Sequence, residues 1–392
     1  MYLNFTGRNG NQLYRKALYS VLTQGEPVSP KGRRTLEIQG ITTILEPRER
    51  ILTMPGRAAN PFFNVAENLA IIAGLKNQRD WFLQFNKQYV EVAHDSPTDE
   101  ASWGFYGTRL RNYIHGPKRP SEGHVGLDQL KEITKKLEVD RFSRQAVASL
   151  WHPYLDNEPG HKDYPCNWGV MFKIRDRPLP SSESVLHMTV VNRSNDIHWG
   201  LFGVNLNQWS FIQEVLAAVL GVEIGHQIHV SDSLHLYLDE PWATITKNMA
   251  GYNDGFDVYE HAKPEPMFIR KISWETIDGY LESFFKVWNG KYIGLSQLGW
   301  NEWPFLYDAW HFLKAYTLRK EPMYSWQDLL LVKDNALWVS GVEYLARKPK
   351  FMGEVTGGRI LGEVEKRFKN TTAIMQYILT ANIVNQEKEP VA

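Results

Sequence analysis

The chain has 392 residues, 43% hydrophobic and 22% charged, with 44 Lys and Arg balanced by 44 Asp and Glu. That balance gives no electrostatic reason to expect bulk binding to nucleic acid or an anionic membrane. One cysteine, Cys166, excludes an intrachain disulfide framework and any zinc site needing two thiolates, so no metal is expected and a reducing cytoplasm is the natural compartment.

The N-terminal stretch lacks the apolar region of a secretory signal, and no run reaches the ~18 apolar residues of a membrane span. Residues 11–24 have helical spacing, with Tyr14, Ala17, Leu18 and Val21 on one face. Residues 33–40 alternate as a strand does. Residues 61–73 return to helical spacing, and Glu67 falls near the edge of their apolar stripe. From periodicity alone Glu67 reads as a solvated helix charge. A glycine-punctuated aromatic loop spans 102–107, a helix is predicted over 126–137 and a short strand over 146–151. A turn-rich loop over 153–165 leads into Cys166. Strands follow at 168–175 and 185–192, flanking a turn at 180–182, then a helix at 207–220 and a strand at 224–237. Helices dominate from there: 274–288, 304–318, 326–332 and 337–348.

No glycine-rich dinucleotide or phosphate loop occurs, and no H-E-x-x-H. His226 and His229, three apart on a strand, lie on opposite faces and do not form a metal pair. Three features stand out. A thiol is a soft nucleophile, although a lone cysteine is more often a small buried apolar group. Arg193 beside Ser194 suits a phosphate, although a strand-end turn has the same composition. His235 and Tyr237 share one strand face, as a cross-strand aromatic pair also would.

In order, these are Pro165-Cys166, then Asn192-Arg193-Ser194-Asn195-Asp196 with Gly200 and Asn205, then Ser233-Leu234-His235-Leu236-Tyr237. That series resembles the thymidylate synthase and pyrimidine hydroxymethylase superfamily. The strand Thr35-Leu36-Glu37-Ile38-Gln39-Gly40, Glu67 with Gly74 after it, Tyr106-Gly107, Asp128-Gln129-Leu130, Ser143-Arg144 and Trp151 are similar to the family's segments in the same order. The likeness covers about residues 10–290.

The resemblance implies an α+β thymidylate synthase fold: a mixed β-sheet packed with helices, dimeric through the sheet. It implies a catalytic domain over 1–289 and a mainly helical C-terminal extension over 290–392. The family alkylates C5 of a pyrimidine nucleotide with a one-carbon unit from 5,10-methylenetetrahydrofolate. Cys166 would add to C6, with Arg193 lowering its pKa. Glu67 and Tyr106 would move protons on the base. Asp196, and Glu67 with it, would face the folate. Arg144, Arg193 and Ser194, with Arg33 or Arg34, would hold the phosphate, Arg144 reaching the partner subunit's site. His235 and Tyr237 would bind the ribose hydroxyl. Asn205 would read the base, and an amide there favours uracil over cytosine, because it both donates and accepts.

The chain departs from the synthases in four places, one being Lys31-Gly32-Arg33-Arg34 where the family has an Arg-Thr-Gly loop. Asn167 replaces a histidine, Gln145 a second arginine, and residues 85–102 lack the tryptophan that shields the methylene, leaving Tyr89 or Val90 there. The absent tryptophan, Asn167 and the Ser233-Leu234-His235-Leu236-Tyr237 segment lean toward water capture, giving 5-hydroxymethyl-dUMP. The closing Lys388-Glu389-Pro390-Val391-Ala392 is similar to the synthases' tail and leans the other way. Thymidylate synthase, a dCMP or CMP hydroxymethylase and a non-catalytic nucleotide- or RNA-binding relative are the alternatives.

Overall fold

The computed structural model describes residues 4–385, apart from 46, 58, 97, 114–125, 178–182, 251–256 and 292–297. The expected turn at 180–182 and the Lys388–Ala392 tail lie outside the described residues.

The strands are β1 (Asn4–Gly7), β2 (Glu26–Val28), β3 (Thr35–Leu45), β4 (Val147–Ser149), β5 (Asn167–Asp176), β6 (Ser184–Asn192), β7 (Asn195–Asp196) and β8 (Glu223–Tyr237). Among the described residues these eight form one sheet, ordered β1-β3-β8-β6-β5-β4, with β2 paired to β3 and β7 to β8. It is mixed: β1 runs parallel to β3, and β6 and β7 parallel to β8, while the other pairs are antiparallel. Alternation places Val170, Phe172 and Ile174 of β5, with Met188 and Val190 of β6, in the helix-covered core; Trp168 shares their parity yet is exposed, because the β5 register shifts between Asn167 and Gly169. A register shift between Asn167 and Gly169 puts an irregularity in β5 directly after Cys166. Such irregularities re-aim side chains next to functional sites.

The helices up to residue 250 are α1 (Gly10–Gln24), α2 (Pro61–Ala73), α3 (Arg79–Phe82), α4 (Lys87–Ala93), α5 (Tyr106–Arg111), α6 (Gln129–Val139), α7 (Leu206–Leu220) and α8 (Trp242–Ala250). Then come α9 (Trp274–Trp288), α10 (Pro304–Thr317), α11 (Pro322–Leu331), α12 (Asn335–Ala346), α13 (Pro349–Glu354), α14 (Gly357–Arg367) and α15 (Thr371–Asn385). Helix α2 starts where the sequence predicts. The Asn60 side chain accepts from the Phe62 and Phe63 amides, both at 3.1 Å, and Pro61 occupies the first turn. It stops at Gly74, whose φ of 58° is left-handed.

Helix α2 is buried on every side rather than along one stripe. On one side Asn68 donates to Asn207 of α7 at 2.7 Å. On another, the C-terminal helices close over it. Phe62 stacks on Phe312 of α10 with ring centroids 4.1 Å apart, and the Tyr316 hydroxyl donates to the Phe85 carbonyl at 2.9 Å. Helices from 304 onward therefore share a hydrophobic cluster with α2 and α7. No helix of the described residues is long and apolar enough to cross a membrane.

Candidate active site

Cys166 sits between the 153–165 loop and β5, half-buried. Arg193 clamps this segment. Its amide donates to the Cys166 carbonyl at 3.0 Å, its Nε to the Pro165 carbonyl at 2.9 Å and its Nη2 to the Tyr164 carbonyl at 3.3 Å. The expected lowering of the thiol pKa by Arg193 is present but is not the larger influence. Burial outweighs it, Asp163 and Asp196 add to the rise, and the thiol is pushed up to about 11. In this state the sulfur is a thiol at neutral pH, contrary to the expected ready thiolate.

Asn167, where the resembling synthases have histidine, is fully buried and faces inward. Its Nδ2 donates to Asn192 Oδ1, its Oδ1 accepts from Trp209 Nε1 at 2.9 Å, and its amide donates to the Tyr106 hydroxyl at 3.3 Å. That last bond ties Tyr106, at the start of α5, to the residue after Cys166. The Tyr106 hydroxyl is held protonated, chiefly by burial and then by the Cys166 and Asp163 charges.

Glu67 is buried, not solvated, because α2 is enclosed. Burial pushes its carboxyl up to about 8 against a hydrogen bond from Gln208, and Asp163 pushes the same way. Among the described residues Glu67 Oε2 has no partner. Tyr89 of α4 lies close enough to feel both Glu67 and Asp163. It packs against Phe63 and Phe82 at 5.3 and 5.0 Å between centroids. Trp103, just past the region where shielding was expected, is engaged elsewhere: it stacks on His161 at 3.8 Å and donates to Asp156 at 2.8 Å.

Asp196 caps a nine-residue π-helical segment, Ile197–Asn205, that runs into α7. Its Oδ2 accepts from the Trp199 and Gly200 amides, while its Oδ1 is buried without a partner among the described residues. Asn205, at the end of the segment, is buried, and its Nδ2 lies 3.4 Å from Asn195 Oδ1. Neighbouring Arg57 is buried and donates to the His198 carbonyl. Burial lowers its pKa, and Asp196 is among the charges opposing that. Nothing in its sequence context marked Arg57.

On β8, the His235 ring is buried, its Nδ1 is 3.2 Å from Ser233 Oγ, and it meets Tyr237 edge-on at 5.2 Å. The Tyr237 hydroxyl is shifted up by burial first, and feels Asp196, Arg33 and Cys166. The two candidate arginines part here. Arg33 lies over the Tyr237 ring at 3.8 Å, whereas Arg34 turns to Asp239 at 3.0 Å. Ser194 is partly exposed beside Arg193.

Arg144 is not brought to Cys166. The Ala146 carbonyl accepts from the Phe172 amide at 2.9 Å, so Arg144 is level with the far half of β5. At ~3.3 Å per residue this puts it roughly 25 Å from the Cys166 end, beyond an arginine's reach. Among the described residues no group of three or more histidine, cysteine, aspartate or glutamate side chains could hold a metal ion.

The sequence matches the family described as "Thymidylate synthase" over residues 13–252. The chain belongs to the thymidylate synthase family. It is 38% identical over 255 residues to a deoxyuridylate hydroxymethyltransferase of Bacillus phage SP01, an alignment covering 62% of this chain and 61% of that protein. It is 31% identical over 266 residues to a protein of the same name from Pseudomonas phage M6, covering 66% of this chain and 70% of the relative. A third such protein, from Delftia phage PhiW-14, is 32% identical over 206 residues and half of each chain. The chain therefore spans 61% of the Bacillus phage relative's length and 50% of the Delftia phage relative's.

Proposed function

We propose that this protein transfers a one-carbon unit from 5,10-methylenetetrahydrofolate to C5 of dUMP and that water completes the product as 5-hydroxymethyl-dUMP. The observation that carries this reading is the set of links around Cys166: it influences Tyr106 and Tyr237, Asp196 acts on it and on Tyr237, Glu67 acts on Tyr106, and Arg193 is clamped to the cysteine's own segment. The phage relatives named for hydroxymethyl transfer support the water-derived outcome.

C5 of uracil is a weak nucleophile. Addition of the Cys166 sulfur to C6 places an electron pair on C5. Because the thiol is pushed up to about 11, the sulfur must lose its proton as substrate binds. A phosphate held by Arg33, Arg193 and Ser194 aligns the base for that step. Asn205 pairs with the uracil edge, and His235 and Tyr237 hold the ribose hydroxyl. Glu67 is protonated at neutral pH and can supply and retrieve a proton at the base. The buried, unpartnered Asp196 Oδ1 fits the N–H donors of a pterin ring, so Asp196 would hold the folate there. Methylenetetrahydrofolate supplies the carbon, and in a synthase it would also supply hydride.

Arg144 completes the phosphate site of a second protomer, since it cannot reach its own. The protein then acts as a homodimer through the sheet face that exposes Trp168, in the cytoplasm of a phage host. The helices from 304 onward belong to the C-terminal extension over 290–392, beyond the 13–252 family match, and cover α2.

Incubation with dUMP and methylenetetrahydrofolate, with the product identified by mass, tests the reading. The expected product is 5-hydroxymethyl-dUMP with tetrahydrofolate. Formation of dTMP with dihydrofolate overturns the hydroxymethyl outcome, turnover of dCMP alone overturns the role of Asn205, and binding without turnover overturns catalysis.

A further inference from the structure

Asp163 precedes Cys166 by three residues and was not singled out from the sequence. Among the described residues it accepts no hydrogen bond and forms no ion pair. The two arginines that reach it electrostatically have their donors aimed elsewhere. Arg109 is bound to Asp156 at 2.6 and 2.7 Å, and Arg193 to the Tyr164 and Pro165 carbonyls. The carboxylate packs instead on the α-carbon of Gly104. A β-carbon there would lie 2.5 Å from Asp163 Oδ2 and 2.8 Å from its carboxyl carbon. On its other sides Asp163 is felt by Glu67, Tyr89, Tyr106 and Cys166. A half-buried carboxylate with no protein donor is left to water or a ligand for its hydrogen bonds. Burial pushes this one up to about 7, a basicity suited to taking a proton near neutral pH.

We infer that Asp163 is the general base for the water that completes the product, an assignment that rests on the function proposed above. Once the carbon is on C5 and the amine has left, the base carries an exocyclic methylene conjugated with its C4 carbonyl, while Cys166 remains bonded to C6. The water oxygen bonds to the methylene carbon, and one water proton passes to Asp163. The methylene π pair moves onto C5 and the C4 oxygen. That pair then forms the C5–C6 double bond as the C6–S bond breaks and the Cys166 thiolate leaves. The proton on Asp163 returns to solvent or to the thiolate. Its contact with Gly104 and its influence on Tyr89 and Glu67 distinguish Asp163 from the groups assigned to the phosphate.

Asp163→Asn and Gly104→Ala test this; the second displaces the carboxylate while leaving it in the chain. Three readouts are needed: hydroxymethyl-dUMP formation, covalent capture of 5-fluoro-dUMP in the presence of the folate, and trapping with added 2-mercaptoethanol. Both variants are expected to capture 5-fluoro-dUMP at the wild-type rate, because capture precedes the water step. Hydroxymethyl product is expected to fall by roughly 10²–10³-fold. The stalled methylene is expected to appear as a 5-thioether of the nucleotide with mercaptoethanol. Wild-type turnover without thioether in both variants overturns the assignment. So does loss of 5-fluoro-dUMP capture by folded Asp163→Asn, which would put the carboxylate at an earlier step. Wild-type protein that makes dTMP, or no product, overturns the hydroxymethyl reading itself and is recognised before any variant is compared.

Discussion

In the C-terminal helices, buried charges are closed by partners a turn away or on the next helix. Arg347 Nε, just past the end of α12, donates to Glu343 at 2.9 Å, and both side chains are nearly inaccessible. Asp308 accepts from the Lys333 and Asp334 amides at 2.8 and 2.9 Å. Around Cys166 the burial is similar but the closure is missing: Glu67 Oε2 and Asp196 Oδ1 have no partner among the described residues. A buried polar atom left open is destabilising by about 1–3 kcal/mol. The helical half avoids that cost at these buried charges, though the Trp303 and Trp338 indole N–H groups stay open, and the sheet half carries it on carboxylates whose open lone pairs a ligand can use. The same residue types thus serve rigidity in one region and recognition in the other.

The largest expected effect lies on the reactive side. Cys166→Ser is expected to lower product formation by on the order of 10⁴-fold or more while leaving dUMP binding measurable by calorimetry. Activity within tenfold of wild type would show that the sulfur is only packing.

Next in size is a test of the closed side. Arg347→Ala leaves Glu343 buried and unpaired, which is expected to lower unfolding free energy by about 3–5 kcal/mol. Chemical denaturation measures it. A loss below about 1 kcal/mol would mean that the helical half is no better satisfied than the site.

Glu67→Gln distinguishes the two regions by pH. The Glu67 carboxyl rises from an ordinary 4.5 to about 8 on folding, so the native state holds the proton more tightly than the unfolded chain does. Its contribution to stability is full below about pH 4.5 and is lost as pH rises toward 8. Wild-type stability is therefore expected to fall across this window, and Glu67→Gln to flatten the decline while reducing turnover by roughly 10²–10⁴-fold. Denaturation midpoints between pH 5 and 8, compared by the rule that such a slope reports protons held by the fold, decide it. An unchanged slope would place the glutamate in water.

The regular elements were legible because periodicity is local. The predicted 61–73 and 274–288 helices fall on α2 and α9, and the strand pattern at 185–192 falls on β6. The site was legible as an ordered set of motifs and not as an environment. Glu67 looked solvated because the residues that bury α2, Phe312 and Tyr316 among them, lie far along the chain. The inward-facing amide of Asn167 depends on Asn192 and Trp209, which only the fold brings to it. Short helices such as α3, α4 and α13 have too few turns to show a stripe. Arg57 ends a single 3-10 turn and Asp163 lies in a loop, too little for a periodic pattern, so only the surroundings that the fold gives them mark them out.

A smaller effect concerns the thiol. With a pKa of about 11, Cys166 is expected to react slowly with iodoacetamide at pH 7 and about tenfold faster per pH unit above it. Arg193→Ala removes the one cation holding that value down, so alkylation at any given pH should slow further. Faster alkylation of the variant would mean that Arg193 acts by blocking access rather than by charge.

The smallest expected difference separates two adjacent arginines that the sequence could not tell apart. Thr35 pairs with Tyr237 across β3 and β8, which sets Arg33 over the Tyr237 ring and sends Arg34 to Asp239. The Arg34–Asp239 pair is largely exposed, and such pairs contribute about 0–1 kcal/mol. Arg34→Ala is therefore expected to change the KM for dUMP by less than about threefold. Arg33→Ala, which would remove the proposed charge-assisted phosphate contact, should raise KM by roughly tenfold with kcat little changed. Equal effects of the two substitutions would mean that the arm rearranges when the nucleotide binds, and that the stacking of Arg33 on Tyr237 does not choose the phosphate ligand.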